Sequence, residues 1–340
     1  MAVDSPALHR TAPNGGRTSE PIRFGVLGTG RITRRMIPEL QSTTGDDSGP
    51  GTVVTAIASR DASRARWYAD QHGIASTARD VEDLVRRDDV DAVYIATPPA
   101  LHEGACLAAI ESGKMLLCEK PLTHDAESTR RVSDAANRAG VRWLDATGWL
   151  HHRRTDAFRS WLGEGAFGTI THVSVAVSFY RPFNDDDHRL DPNLGGGCVL
   201  DLGWYAAGLI SFVAGSVDDV DVRVVREGGI VVRLAAVGVG RNGVTVTASV
   251  GYDTAGRKWF EAAGTDASLI CDDFTRPWPD RDARCWIHDR VGGVRSETFE
   301  GNQERAMIRR LIGDEPLDDL HRQCLRTAEL VDRWRTPDRV

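Results

Sequence analysis

A chain of 340 residues has room for two cores and is too long for one ordinary domain. Its 41% hydrophobic and 27% charged content is that of a soluble globular protein. A net charge of −7 without a long basic run argues against a nucleic-acid surface, and no continuous run of about 18 apolar residues argues against a membrane span. Residues 1–20 are rich in Gly, Pro, Ser and Thr and lack the apolar core of a signal peptide. They read as a disordered leader on a cytoplasmic protein.

From residue 21 to 148, short β-like runs alternate with helical segments. Strands are expected at 23–27, 53–59, 92–96, 115–119 and 141–146. Helices are expected at 31–41, 62–72, 81–87, 101–112 and 125–139, with Pro38 kinking or shortening the first. Residues 42–52 read as a surface loop. Continuous apolar strands such as 92–96 suit a parallel sheet buried on both faces. After a helix near 154–164 the pattern changes. Strand-like runs follow at 169–180, 217–226, 230–239, 244–252, 258–263 and 267–272, interrupted by an apolar helix at 197–214. Helices at 302–312 and 317–335 close the chain and are placed to pack back on the first domain. The fold class is therefore α/β: an N-terminal Rossmann doubly wound parallel sheet, then, over residues 149–340, an α+β domain with an open, mostly antiparallel sheet.

The first strand runs into Gly28-Thr29-Gly30-Arg31-Ile32, the grammar of a phosphate cradle. The third glycine of G-x-G-x-x-G falls on Thr33, so the fingerprint is incomplete, and a tight turn needing no ligand uses glycines too. The second strand ends Ser59-Arg60-Asp61, with Arg64 one turn on. Ser59, Arg60 and Arg64 favour the 2′-phosphate of NADP, while Asp61 keeps NAD open. The plainer alternative has Ser59 capping the next helix and Arg60 in solvent. Thr97 and Pro98, where the next strand stops, are placed to line the nicotinamide–ribose side. His102 is counted with the cofactor residues, although a structural role in the helix start fits it better than a catalytic one.

The strand at 115–119 ends Glu119-Lys120-Pro121. Burying this pair unpartnered is costly, so it is either a surface turn or a charged pair at the cleft. Three glycines, Gly195-Gly196-Gly197, precede Asp201 and Tyr205, which stand four apart on one helical face. A tyrosine beside a lysine cation suits proton transfer to a carbonyl, because the positive charge favours phenolate. Taken singly, Asp201 also reads as a helix-start carboxylate and Tyr205 as a core aromatic. The six cysteines are scattered without a C-x-x-C pair, which indicates neither a disulfide framework nor a metal site.

Gly25-x-x-Gly28-x-Gly30-Arg31-Ile32, Ala58-Ser59-Arg60, Ala96-Thr97-Pro98, Glu119-Lys120-Pro121, the Gly195–Tyr205 element and Gly264-Thr265-x-Ala267-Ser268 occur in this order. Together they resemble the Gfo/Idh/MocA family of oxidoreductases. The resemblance implies an NAD(P)-dependent dehydrogenase or reductase of a sugar, sugar derivative or polyol, with NADP(H) preferred, and a homodimer or homotetramer through the second sheet. It implies Lys120 as the catalytic lysine and Asp201 as the acidic partner. Tyr205 stands at the family's His position, as in the branch that resembles glucose–fructose oxidoreductase, dihydrodiol dehydrogenase and the sugar ketoreductases. His152 is thereby expected at the cleft, with Asp145 standing for the usual Glu. Tyr180, Arg181 and His188 are offered as contacts to substrate hydroxyls. Alternatives are sugar–sugar oxidoreduction with tightly held NADP, NAD-dependent lyase or glycosidase chemistry, and a non-catalytic NADP-binding regulator.

Overall fold

The computed structural model describes residues 20–42, 50–180, 183–278 and 281–335. The leader, Glu20 apart, and Arg181 lie outside them.

Six parallel strands form the first sheet: β1 (Ile22–Leu27), β2 (Thr52–Ala58), β3 (Ser76–Ala78), β4 (Ala92–Ile95), β5 (Met115–Cys118) and β6 (Trp143–Asp145). Their order is β3-β2-β1-β4-β5-β6, so the winding reverses between β1 and β4 and a crevice opens at their carboxyl ends. The connections carry α1 (Thr33–Ser42), α2 (Ala62–His72), α3 (Val81–Val85), α4 (His102–Glu111) and α5 (Ala126–Ala139). All four residues of β4 are buried, as helices on both faces require. The edge strand β3 has three residues, too few to carry an alternation. Arg31 and Ile32 form a turn ahead of α1, and the helix runs through Pro38 to Ser42.

The second half adds α6 (Arg153–Gly163), β7 (Ile170–Tyr180), α7 (Trp204–Ala214), β8 (Val217–Glu227), β9 (Ile230–Gly240), β10 (Thr245–Gly251), β11 (Asp253–Gly264), β12 (Ala267–Cys271), β13 (Ala283–Asp289) and β14 (Val294–Phe299). Its sheet has the order β14-β13-β12-β11-β7-β10-β9-β8; β7 and β10 run parallel and the other neighbours antiparallel. The sequence reading stopped before β13 and β14. The outermost, β14, is mostly exposed and polar, because an edge strand facing solvent needs no apolar face.

On one face of the sheet, Val173, Val175, Val177, Leu234, Val246 and Val250 are buried, and α7 supplies Ala206, Ala207, Leu209 and Ile210 to the same core. On the other face Arg233, Ala235, Val237 and Val239 alternate outward along β9. The stretch Pro192–Ala214 has mean hydropathy 1.5, enough for a membrane span by composition, yet 78% of its most apolar window is buried inside the molecule. The single helix expected at 197–214 is divided: a π-helical turn at Val199–Gly203 leads into α7. The last helices, α8 (Gln303–Ile312) and α9 (Asp318–Arg335), return to the first sheet. There Arg142 donates to the carbonyls of Arg310, Leu311 and Glu315, and His321 stacks on Trp143 at 4.0 Å.

Candidate functional site

The turn after β1 is shaped by one obligatory glycine. Gly28 has φ +112°, and a Cβ there would lie 2.5 Å from the Ala96 carbonyl oxygen. Thr33, at the position of the missing third glycine, is buried, and its hydroxyl donates to the Gly28 carbonyl at 3.3 Å. The backbone N–H groups of Thr29, Gly30, Arg31 and Ile32 find no acceptor among the described residues. They lie at the start of α1, where the helix dipole favours an anion. Thr97, at the end of β4, has a buried hydroxyl without a partner. Four free N–H groups, a turn that excludes a side chain and an orphaned hydroxyl at the switch point fit a bound dinucleotide.

At the tip of β2, Ser59 Oγ pairs with Thr29 Oγ1 at 3.0 Å, and Arg64 donates to the Thr29 carbonyl at 2.7 Å. Arg60 is exposed. The cap of α2 is Asp61, whose Oδ1 accepts from the Ser63 and Arg64 amides at 2.9 and 3.1 Å. Ser59 is therefore not the cap, and the acid that kept NAD open is occupied by the helix start.

Both ring nitrogens of His102 are engaged by the backbone. It is 1% exposed, and its Nδ1 and Nε2 lie 2.8 and 2.7 Å from the carbonyls of Pro121 and Thr97. It ties the ends of β4 and β5 together. Pro98 precedes the turn that leads into α4. Glu119 accepts from the Tyr94 hydroxyl at 2.7 Å, and burial pushes its pKa up.

Lys120, just past β5, points into a cluster drawn from remote parts of the chain. Its Nζ lies 2.7 Å from Asp201 Oδ1 and 2.9 Å from the Asp201 carbonyl oxygen. Arg189 Nε takes the second carboxylate oxygen at 2.7 Å, and the Tyr252 hydroxyl lies 3.1 Å from the same atom. Burial would raise the Asp201 pKa, but the charges and hydrogen bonds of Lys120 and Arg189 outweigh it and hold the acid well below the usual carboxylate range. Burial opposes the Lys120 charge, yet Asp201 and Tyr205 carry its pKa above the ordinary value.

Lys120 Nζ also lies 4.7 Å from the centroid of the Tyr205 ring. The π-helical turn holds Asp201 and α7 begins just before Tyr205, so the two are not on one regular helical face, yet both meet the lysine. Burial raises the Tyr205 pKa more than Lys120 lowers it, so the net displacement is upward, not towards neutrality. The start of α7 is fixed to the first sheet: Trp204 Nε1 donates to Thr147 Oγ1 at 2.8 Å, and that hydroxyl donates to the buried Asp145.

Arg189 and Tyr252 are the partners that sequence reasoning missed. Arg189 sits in a short turn (His188–Leu190) capped by Asp187, behind the glycine run. Gly197 N donates to the Arg189 carbonyl at 2.9 Å. A Cβ on Gly196 would be 2.6 Å from the Asp191 carbonyl oxygen, so this turn closes only on glycine. An arginine just before a Gly-Gly-Gly run was the available signal. His188 is beside it, with Nδ1 3.6 Å from Asp187.

His152 does not line the cavity beside Tyr205. It is buried as the cap of α6, its Nδ1 accepting from the Arg154 amide at 3.1 Å. Tyr180 ends β7 with 73% exposure, outside the cavity lining. That cavity, of about 320 Å³, is lined by Tyr205, Arg35, Lys258, Thr275, Arg276 and Trp278 among others. A buried ion pair between Arg154 and Asp273 anchors the loop after β12 that carries the last three.

Comparison with known proteins agrees with this geometry. Residues 22–145 match the model of an oxidoreductase family with an NAD-binding Rossmann fold, and residues 155–270 match the GFO/IDH/MocA C-terminal domain. D-xylose 1-dehydrogenase (NADP(+)) 2 of Haloferax volcanii is 31% identical, over 92% of this chain and 90% of the relative. The dTDP-3,4-didehydro-2,6-dideoxy-alpha-D-glucose 3-reductase of Actinomadura kijaniata is 32% identical, over 94% and 96%. The solved structure of KijD10, a 3-ketoreductase from Actinomadura kijaniata in complex with NADP and TDP-benzene, superposes with a TM-score of 0.82 at 28% identity, covering 93% of this chain and 98% of that one.

Proposed function

This chain belongs to the Gfo/Idh/MocA family of oxidoreductases, and on that premise we propose that it is an NADP(H)-dependent enzyme acting on a CH–OH or C=O carbon of a sugar, sugar derivative or polyol. The observation that carries the reading is the Lys120 ammonium held between the Asp201 carboxylate and the Tyr205 ring. Gly28, Thr29, Gly30, Arg31 and Ile32 would receive the pyrophosphate, Thr97 and Glu119 the nicotinamide side. Arg60 and Arg64 would meet the 2′-phosphate, since Asp61 is already a helix cap. When bound, NADP(H) supplies or accepts the hydride.

This chain's own residues supply the rest. Tyr205 gives the proton to a carbonyl oxygen in reduction and takes it from the hydroxyl in oxidation. With its pKa raised by burial, the phenol keeps its proton at neutral pH, ready for the reductive direction. Lys120 orients the substrate oxygen and stabilises the phenolate left behind. Asp201, itself held by Arg189, fixes the lysine in place. Tyr180 and Arg181 remain proposed contacts to substrate hydroxyls.

The test is a titration of the purified protein with NADPH and NADH, read by tryptophan fluorescence. NADPH should bind at least about tenfold more tightly. Equal or tighter NADH binding contradicts the cofactor assignment. We further read the protein as cytoplasmic, its six cysteines being free and buried. We read it as a homodimer or homotetramer through the second sheet, whose outer face presents Val237 and Val239 at 52% and 45% exposure. A monomeric mass by light scattering would contradict that assembly.

A further inference from the structure

The cavity beside Tyr205 has an uneven charge. Among the described residues Arg35 of α1, Arg257 and Lys258 of β11 and Arg276 of the loop after β12 line it, and no Asp or Glu does. The carboxylate near them is Glu304, 3.7 Å from Arg35 and 3.5 Å from Arg276, so two guanidinium groups share one acid. Lys258 pairs across the sheet with Val177, on the face that packs against α7. Its Nζ lies 3.6 Å from the centroid of the Trp278 ring and donates to the Arg276 carbonyl at 3.1 Å. Among the described residues no carboxylate lies within ion-pair distance of it. Burial pulls its pKa down, the mark of a cation taken partly out of water. Arg257 is different: it pairs with Ser178 and donates to the Ser178 and Ser249 hydroxyls on the opposite face.

Cations gathered in a cavity at a net excess are costly unless an anion completes them. The loop bearing Arg276 and Trp278 is anchored by the buried Arg154–Asp273 pair, so the cluster is held before any ligand arrives. We propose, resting on the oxidoreductase reading above, that the substrate is an acidic sugar derivative carrying phosphoryl or carboxylate oxygens, and that Lys258, Arg276 and Arg35 bind that anionic group in the cavity Tyr205 lines. The guanidinium forks suit the paired oxygens of such a group, and the lysine adds a point charge. A neutral sugar or polyol leaves Lys258 without a carboxylate partner among the described residues, and Arg35 and Arg276 with one acid between them.

The experiment is calorimetric titration of the NADP-saturated protein, and of the protein without NADP, with D-glucose, D-glucuronate and D-glucose 1-phosphate. One or both anions should bind at least about tenfold more tightly than glucose, with the advantage shrinking as salt is added. Whichever anion binds more tightly separates phosphoryl from carboxylate recognition. Lys258→Gln and Arg276→Gln, each verified as folded by circular dichroism, should lose about tenfold for the anion and little for glucose, and Lys258→Arg should retain it. No preference for either anion, no binding of any charged probe, or unchanged anion binding in the glutamine variants overturns the proposal. So does a loss confined to NADPH affinity, which would assign these cations to the cofactor. NADPH binding, measured separately, reports on the oxidoreductase reading. Its failure with a retained anion preference would sink that reading and leave the acidic ligand standing.

Discussion

The cofactor cradle and the Asp201 cluster lie in one crevice but are built on different principles. The cradle is backbone: free N–H groups over four consecutive residues and one glycine that nothing else replaces. The cluster is side-chain charge: Asp201 is met by Lys120 across 81 residues of sequence, by Tyr252 across 51 and by Arg189 across 12. A backbone site is set by local chain geometry. A charge cluster is set by what the fold brings together, and its protonation states belong to the group. The Asp201 carboxyl and the Asp145 carboxyl make the point. Asp145 is buried and Asp201 nearly so, but Asp201 has two cations and its pKa falls, while Asp145 has only hydroxyl, thiol and indole neighbours and its pKa rises.

The largest effect should come from removing the cation on which the cluster turns. Lys120→Met should lower turnover by about 10³-fold, within the range for lost proton-transfer assistance, while NADPH binding by the cradle persists. Steady-state rates beside fluorescence titration check this, and a parallel loss of both would mean the two sites are not separable.

Asp201→Asn leaves Lys120 and Arg189 facing each other without an acid. Breaking a buried pair in this way should cost about 3 kcal/mol of stability at neutral pH. Because the folded pKa of Asp201 is depressed, its contribution is present above the unfolded carboxylate value of about 4 and is lost as pH falls through the folded value. Denaturant melts of wild type and variant should therefore differ most near pH 7 and converge in acid. A gap independent of pH would detach Asp201 from the two cations.

A smaller effect is expected at the cradle. Gly28→Ala forces a methyl group against the Ala96 carbonyl at a positive φ, so NADPH affinity should fall about tenfold with a stability loss of about 1–3 kcal/mol. Smallest of all, Arg60→Ala should weaken NADPH several-fold and leave NADH unchanged, because an exposed guanidinium contributes modestly. Equal losses for both cofactors would place Arg60 elsewhere than at the 2′-phosphate.

Much of the cradle was legible because it is contiguous. Gly28 and Gly30 follow a buried strand directly, and the alternation of strands and helices from 22 to 145 announces the sheet that positions them. What escaped was the use of each polar group. Ser59 read as the possible cap of α2, and only the hydrogen bonds at the helix start show that Asp61 holds that place. His102, whose structural role fitted better in sequence, ties two carbonyls, and His152, expected at the cleft through the resemblance, caps a helix. Lys120, Asp201 and Tyr205 were identified through the resemblance of their motifs. Arg189 had only its place ahead of the glycine run as a signal, and Tyr252, Lys258 and Arg276 carry no local pattern: they lie in a loop and a long sheet whose register decides which face each one meets.

The central claim is that Tyr205 moves the proton and the cradle binds the cofactor independently. Turnover of Tyr205→Phe, measured beside its NADPH dissociation constant, tests it most directly. The account predicts a loss of roughly 10²-fold or more in turnover with NADPH affinity near that of the wild type. Turnover close to wild type would contradict it and remove Tyr205 from the mechanism.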